Sequence, residues 1–435
     1  MTDAAQPDEP VPSARALLKE RDYLLFWGTR WTGSFASQIQ SVAMGWQMYE
    51  LARQGHSVNE SALLVSMLGL AAFLPVLLLT LPAGEAADRY DRKKVLLLCL
   101  AGETISVFTL AMATVHGWTS PALLMGIAAL FGAARAFFAP ANTALGPMLV
   151  PRKLLPRAIA WNSLAWQTAS ILGPAAGGFL VARSSETAYF TTFGLYGVAA
   201  VLVFMIRSNA KPALNPGSRW QLMKEGLAYV WRQKIVFGAI SLDLAAVLLG
   251  GATALLPVFA RDVLIIHEGH YRILGLFDYE FTRAAAFGLL RSGPAIGATV
   301  VALTLAVRPV RNHAGIVMFL GVATFGFATI VFGLSKSMWL SVAALAVLGG
   351  ADMLSVYVRQ TLVQLVTPDP MRGRVAAVSS VFIGASNELG EFESGVVARI
   401  LGPVGAAVFG GVGAVTVTAL WARLFPDLRR ADRLE

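Results

Sequence analysis

The chain has 435 residues, of which 56% are hydrophobic and only 14% charged, and its net charge is +9. Soluble domains carry about 25% charged residues, so this composition places most of the chain in lipid and excludes an ordinary soluble enzyme or binding module. The basic balance does not point to nucleic acid, because the Lys and Arg residues stand in short loops without basic–aromatic strips, and the single cysteine, Cys99, excludes an internal disulfide and any multi-cysteine metal site.

Residues 1–23 are polar and acidic, then mixed in charge. They lack the positive-then-apolar order of a signal peptide and read as a cytoplasmic N-terminal segment. About 20 apolar residues cross a bilayer. The first half of the chain offers six such spans, at roughly 24–49, 61–82, 94–114, 120–148, 158–183 and 187–207. A polar linker, 208–235, follows; its amphipathic stretch from Trp220 to Trp231 predicts a helix on the membrane surface. Six more spans lie at roughly 236–260, 283–306, 314–335, 338–365, 375–398 and 403–424, before a short tail, 425–435. The expected fold is an all-α membrane protein of twelve transmembrane helices in two six-helix bundles, 24–207 and 236–424, and a monomer is expected. The longest loop on the far side, 261–282, carries His267, Glu268, His270, Asp278 and Glu280. Ligand spacing alone is weak there, so these read as solvated loop residues; no metal and no cofactor are expected.

Lys and Arg concentrate in alternate loops: Arg89, Arg92, Lys93 and Lys94; Arg152, Lys153 and Arg157; the linker; Arg308 and Arg311; Arg372 and Arg374; and the tail. The positive-inside rule then puts both termini in the cytoplasm, which needs an even number of spans. The two halves are also related in sequence. Gly132, Ala134, Pro151, Arg157, Gly173 and Gly178 recur in register as Gly349, Ala351, Pro368, Arg374, Gly390 and Gly395, at an offset of 217 residues. Parallel repeats of this kind are a transporter design in which the substrate site lies between the halves.

After the second span the chain reads Gly84-Glu85-Ala86-Ala87-Asp88-Arg89-Tyr90-Asp91-Arg92-Lys93-Lys94. This resembles the signature loop of the major facilitator superfamily, although that family often has Gly where Asp91 stands. The resemblance implies a cytoplasmic gate built on Gly84, Asp88, Arg89 and Arg92, with Asp88 latching onto the start of the eleventh helix. The fifth span contains Gly173-Pro174-Ala175-Ala176-Gly177-Gly178, which resembles the Gly-Pro-x-x-Gly-Gly motif of the superfamily's antiporters; Pro kinks the helix and the glycines admit a partner. Gly293-Pro294-Ala295-Ile296-Gly297 echoes it in the eighth span. The eleventh span (Asn387-Glu388-Leu389-Gly390-Glu391) and the loop 368–374 resemble the branch holding bacterial siderophore exporters of the enterobactin-exporter type and some macrolide-efflux proteins.

A charge at the bilayer centre costs roughly 2.5–3.5 kcal/mol on insertion scales, so such residues face a bundle interior and carry function. Arg30, Ser34 and Gln38 form one stripe on the first span; Arg135 and Asn142, with Phe138, lie on the fourth; Asn162 and Trp166 on the fifth; Arg359 on the tenth; Asn387 on the eleventh. These are the candidate substrate-cavity residues, with Trp27, Trp46 and Phe137 as further aromatic candidates. Asp243, Asp352, Glu388 and Glu391 are the candidate proton carriers, since burial disfavours a carboxylate and a nearby guanidinium favours it. Glu103 reads as a packing or interface group. The expected activity is proton-coupled export, by antiport and alternating access, of a siderophore-like or drug-like small molecule across a bacterial cytoplasmic membrane; the expected partners are that substrate, protons and the lipid bilayer. The competing readings are an importer of a nutrient or lysolipid and a non-transporting receptor or scaffold. No Walker lysine loop and no nucleophile–base signature is present, so no enzyme is expected.

Overall fold

The computed structural model describes residues 14–208, 219–273, 277–310 and 312–430. Most of the N-terminal segment, the middle of the linker, Arg311 and the last five residues of the tail lie outside the described residues. The first half comprises α1 (Arg21–Ala52), α2 (Val58–Arg89), α3 (Arg92–Val115), α4 (Pro121–Leu145), α5 (Leu155–Arg183) and α6 (Ser185–Phe204). Side chains close the tight turns between them. Ser57 and Glu60 form a reciprocal capping box at the start of α2. Ser120 and Ser184 cap α4 and α6, with Pro121 at the first helical position of α4. Asp91 caps α3 by accepting from the Lys93 amide at 3.0 Å, which gives this residue a structural role where the signature loop often has Gly.

The second half begins with the linker helix α7 (Arg219–Arg232) and α8 (Lys234–Leu249). The predicted seventh span is not one helix. It breaks at Gly250–Gly251 and goes on through a 3-10 turn (Ala252–Leu255), α9 (Leu256–Val258) and a π turn (Phe259–Val263). The loop beyond it contains an antiparallel hairpin, β1 (Gly269–Ile273) with β2 (Phe277–Phe281); the side chains of His270, Asp278 and Glu280 are outside the description. Then come α10 (Arg283–Val307), α11 (Ala314–Leu334), α12 (Met338–Val366), α13 (Asp369–Leu424) and α14 (Pro426–Arg429). α13 is two limbs, 369–401 and 403–424, reversing at Gly402, whose φ of 77° is open to glycine without strain.

Nine of the described helices are long and apolar enough to cross a membrane, with α13 counted as one. α1 and α5 match them in length, at 32 and 29 residues, but carry the polar stripes. With those two and the second limb of α13, twelve rods of spanning length result. The linker helix departs from the expectation of a helix lying only on lipid. Its Val230 packs with Val236 and Ile240 of α8 and Val375 and Val378 of α13 in a small separate core, and Glu225 pairs with Arg374. Leu227 and Trp231 remain exposed.

The contacts repeat from half to half. In the first, α1 packs on α5 and α6, α4 on α2 and α3, and α3 on α6. In the second, α8 packs on α13, α12 on α10 and α11, and α11 on α13. Two crossings dominate the junction of the halves: α2 with α13, and α5 with α10. The repeat explains both. Gly173 and its counterpart Gly390 face the first helix of their own half: a Cβ on Gly173 would stand 2.6 Å from Gln38 Cβ, and one on Gly390 2.6 Å from the Val247 carbonyl. Gly178 and its counterpart Gly395 face the opposite half, where a Cβ would stand 2.7 Å from the Ala284 carbonyl and 2.1 Å from Ser66 Oγ, respectively.

Gly178→Val and Gly395→Val are therefore expected to weaken the junction by about 1–3 kcal/mol each, the range for overpacking a tight site. Thermal unfolding of the purified protein in detergent checks this. Gly126→Val, where a Cβ meets nothing within 4 Å, serves as the control and is expected to leave the midpoint in place.

Candidate functional site

The second half holds a buried charge cluster. Arg359 of α12, 1% exposed, places Nη2 3.3 Å from Asp243 Oδ2 of α8, and its Nη1 donates to Ser379 Oγ of α13 at 3.4 Å. The guanidinium thus ties three helices. Asp352, two turns earlier on α12 and half-buried, lies within electrostatic reach of both Asp243 and Arg359. Two acids therefore share one cation, and the cluster is neutral only when it holds one proton. Arg359 also lines a cavity of about 230 Å³ between α12 and the first limb of α13, with Gln360, Thr367, Arg372 and Ser379. Of the predicted cavity residues, Arg359 is the one that lines this pocket.

A second cluster lies where the halves meet. Glu388 and Glu391, one turn apart on α13, crowd Gly69 of α2: a Cβ there would stand 3.4 Å from Glu388 Oε2 and 3.2 Å from Glu391 Oε2. Thr253, in the 3-10 turn after the break in α8, donates to Glu391 Oε1 at 3.0 Å. The broken backbone is covered by protein here, the condition for irregular structure at membrane depth, since Gly251 abuts Gly390. Two cations are within reach of Glu388, Arg135 of α4 and Arg291 of α10. Arg291 donates to Ser41 Oγ of α1, in the other half, at 2.9 Å. Arg291 was absent from the sequence-predicted set. The cost of a charge inside an apolar span, which singled out Arg135, applied to it equally.

The remaining predicted residues divide. Arg30 is half-buried, its Nε has no hydrogen-bond partner, and it makes no ion pair among the described residues. Arg135, Trp166 and Asn387 are exposed, Ser34 and Phe138 half-buried. Asn142 is buried, at 7% exposure, with its Oδ1 unpartnered. Asn162 and Gln38 are drawn into an α1–α5 zipper: the Tyr23 hydroxyl donates to the Ala158 carbonyl at 2.8 Å and reaches Asn162 Oδ1 at 3.4 Å, and Gln38 Nε2 meets Ser170 Oγ at 3.5 Å. Trp27 belongs to the same zipper, donating to the Trp161 carbonyl at 2.8 Å. Trp46 stacks on Phe287 across the halves, ring centroids 6.1 Å apart. These two aromatics pack protein.

The halves are clasped on the face away from the termini. The Tyr49 hydroxyl of α1 donates to Asp262 Oδ2 at 2.5 Å, Arg53 lies 3.5 Å from the same oxygen, and Arg261 pairs with Glu50 at 3.1 Å. Deeper in, α4 packs closely on neither α8 nor α12. The arrangement is closed at one face, with charged residues of both halves meeting below the clasp.

The model of a family described as transmembrane secretion effectors matches residues 12–434. The chain belongs to that family. Two curated relatives are the enterobactin exporters EntS of Citrobacter koseri, 29% identical over 86% of this chain and 85% of that protein, and of Escherichia coli, 28% identical over the same shares. Among solved structures, a POT family transporter in complex with 5-aminolevulinic acid superposes with a TM-score of 0.73 at 12% identity, covering 94% of this chain and 96% of that one. The nucleoside transporter NupG superposes with a TM-score of 0.67 at 14% identity, covering 93% and 99%. The fold is that of the major facilitator superfamily, and the secretion effector is a multi-pass membrane transporter related to the enterobactin exporters.

In this secretion effector the expected gate loop is partly engaged within its own half. Gly84 is buried and Asp88 half-buried. Arg89 pairs with Glu85, one turn back, at 2.6 Å, with both side chains exposed. Arg92 donates to the carbonyls of Ala87 and Ala144 at 3.3 and 3.2 Å, holding the loop against α4. Of the Gly-Pro motif, Gly173 and Gly177 abut α1, while Pro174 and Gly178 abut Gly288 of α10. One turn of α5 thus touches both halves.

Arg359→Met would leave Asp243 buried without its cation and is expected to destabilise the protein by about 3–5 kcal/mol. The double variant Asp243→Asn/Arg359→Met should recover much of that loss. Unfolding midpoints of the two variants in detergent decide this, and equal losses would remove the ion pair as the cause.

Proposed function

We propose that this secretion effector exports a medium-sized amphipathic small molecule, siderophore-like or drug-like, in exchange for protons, from a bacterial cytoplasm across the inner membrane. Both termini lie on the cytoplasmic side. The observation that carries the reading is the placement of Asp243, Asp352, Glu388 and Glu391. Asp243 and Asp352 stand beside Arg359, Glu388 within reach of Arg135 and Arg291, and Glu391 next to Glu388, accepting from Thr253. An acid in such a place is stable in two forms, neutral or paired with a guanidinium. A transport cycle can switch between them as helices move.

The far-face clasp supports a state that is shut to the outside and loads cargo from the cytoplasm. To release it, the halves would part at Tyr49–Asp262 and Arg261–Glu50 and close at the opposite face. Arg30 and Arg135, which make no ion pair among the described residues, suit an anionic or catechol-type group, and Trp166 and Phe138 suit an aromatic ring beside it. The name shared by the relatives supports a siderophore as cargo.

Everted membrane vesicles with an imposed proton gradient are expected to accumulate enterobactin or a macrolide, each tried as a probe. Glu391→Gln is expected to slow this at least about tenfold, equivalent to about 1.4 kcal/mol of lost coupling. Accumulation by intact cells instead of everted vesicles would make the protein an importer. Profiling the medium of a deletion strain for a missing compound names the natural cargo.

A further inference from the structure

The acids assigned above all belong to the second half. In the first half one acid occupies the middle of a helix, Glu103 of α3. The other described acids there lie at helix ends: Asp22, Glu50, Glu60, Glu85, Asp88 and Glu186 within the first or last two turns, and Glu20 and Asp91 at N-caps. Glu103 is 7% exposed, and α3 packs against α4 and α6. Among the described residues it makes no hydrogen bond and no ion pair within 4 Å. The charged and titratable groups that face it are Arg135 of α4, Tyr196 of α6 and, one turn away on α3 itself, Cys99. Tyr196 is 1% exposed and its hydroxyl forms no hydrogen bond of good geometry, with Ser37 of α1 as its polar neighbour. Glu103, Arg135 and Tyr196 each stand near the midpoint of their helices, so one polar pocket is built at one depth. A packing residue would not need an acid there: Gln or Met fills the space without a charge to accommodate.

Arg135 connects this pocket to the junction of the halves. It is exposed, and it is the cation within electrostatic reach of both Glu103 and Glu388. We propose that Glu103 is a second proton-binding residue of the transport cycle, in the half that lacks the other acids, and that Arg135 is the counter-ion it shares with Glu388. This rests on the proton-coupled transport proposed above. Glu103 and Arg135 ride on the same half, so α3–α4 packing sets their separation. Glu388 rides on the other half, so rocking changes its distance from Arg135. The acid that gains the guanidinium gives up one proton, and the acid that loses it takes one up. Neutralising Glu103 would leave Arg135 permanently available to Glu388 and abolish the exchange.

Infrared difference spectra of the protein in lipid nanodiscs, recorded between acid and alkaline pH without substrate, read Glu103 directly. The expected result is a protonated-carboxyl C=O band that disappears in Glu103→Gln, persists at a shifted frequency in Glu103→Asp, and titrates at a different pH in Arg135→Ala. A band identical in wild type and Glu103→Gln overturns the proposal. Everted vesicles given enterobactin separate the two claims. If the wild type accumulates it in a gradient-dependent way and Glu103→Gln matches both rate and gradient dependence, this inference fails while the proposed function stands. If Glu103→Gln accumulates it without gradient dependence, the inference holds. If wild-type accumulation ignores the gradient, proton-coupled transport fails, and the infrared band alone decides whether Glu103 binds a proton.

Discussion

Two close helix crossings join the halves of this molecule, and the acids at their junction are positioned by them. In lipid there is no hydrophobic gain from pressing one apolar helix on another, so association rests on how closely the backbones fit. The fit here comes from α5 against α10 and from the first limb of α13 against α2, through Gly178, Gly288 and Gly395. These crossings are related by the same 217-residue offset that relates the halves in sequence. They leave α1, α4, α8 and α12 to face one another without close packing between α4 and the second half.

The seams also explain where the acids went. Glu388 and Glu391 sit within a few residues of Gly390 and Gly395, on the limb of α13 that makes one of the crossings. Their position relative to α2 and to the break in α8 is therefore set by close contacts at Gly390 and Gly395. The Asp243–Arg359 pair lies away from the seam, inside one half, where it staples α8, α12 and α13. A buried ion pair adds little net stability, but removing one partner is costly, so such a pair restricts which arrangements its helices can adopt.

Much of this was legible in the sequence because membranes simplify the code. Apolar length, loop charge and a repeated Pro–Arg loop sufficed for the spans and the pairing of halves. The interruptions were harder. Gly250–Gly251 lies in an unbroken apolar run, and nothing in composition separates a helix that continues there from one that stops. The hairpin at 269–281 did carry a signal, the strict alternation Phe277-Asp278-Tyr279-Glu280-Phe281 opposite His270-Tyr271-Arg272-Ile273, but its charged residues read as a solvated loop. At the site, Arg359 and Asp243 could be singled out by type, whereas their pairing could not, because it depends on the rotation of α8 against α12. Arg291 is a different case: a charge inside an apolar span, it carries the same signal as Arg135. Trp27 and Asn162 looked like cavity residues because helical stripes do not say whether a neighbouring helix or open space covers them; here α1 and α5 cover each other.

The repeat finally separates scaffold from chemistry. Residues 142 and 359 are matched and both are buried, yet one is Asn and the other Arg; residues 135 and 352 are matched and both are more open, yet one is Arg and the other Asp. Burial follows the fold's symmetry because backbone packing does. Charge does not follow it: Arg359 pairs with Asp243 inside the second half, while Arg135 in the first half lies within reach of Glu388 instead. The shared packing builds two similar halves, and the unequal charges make them chemically different. In this chain the same residue positions carry both the common packing and the unequal charge.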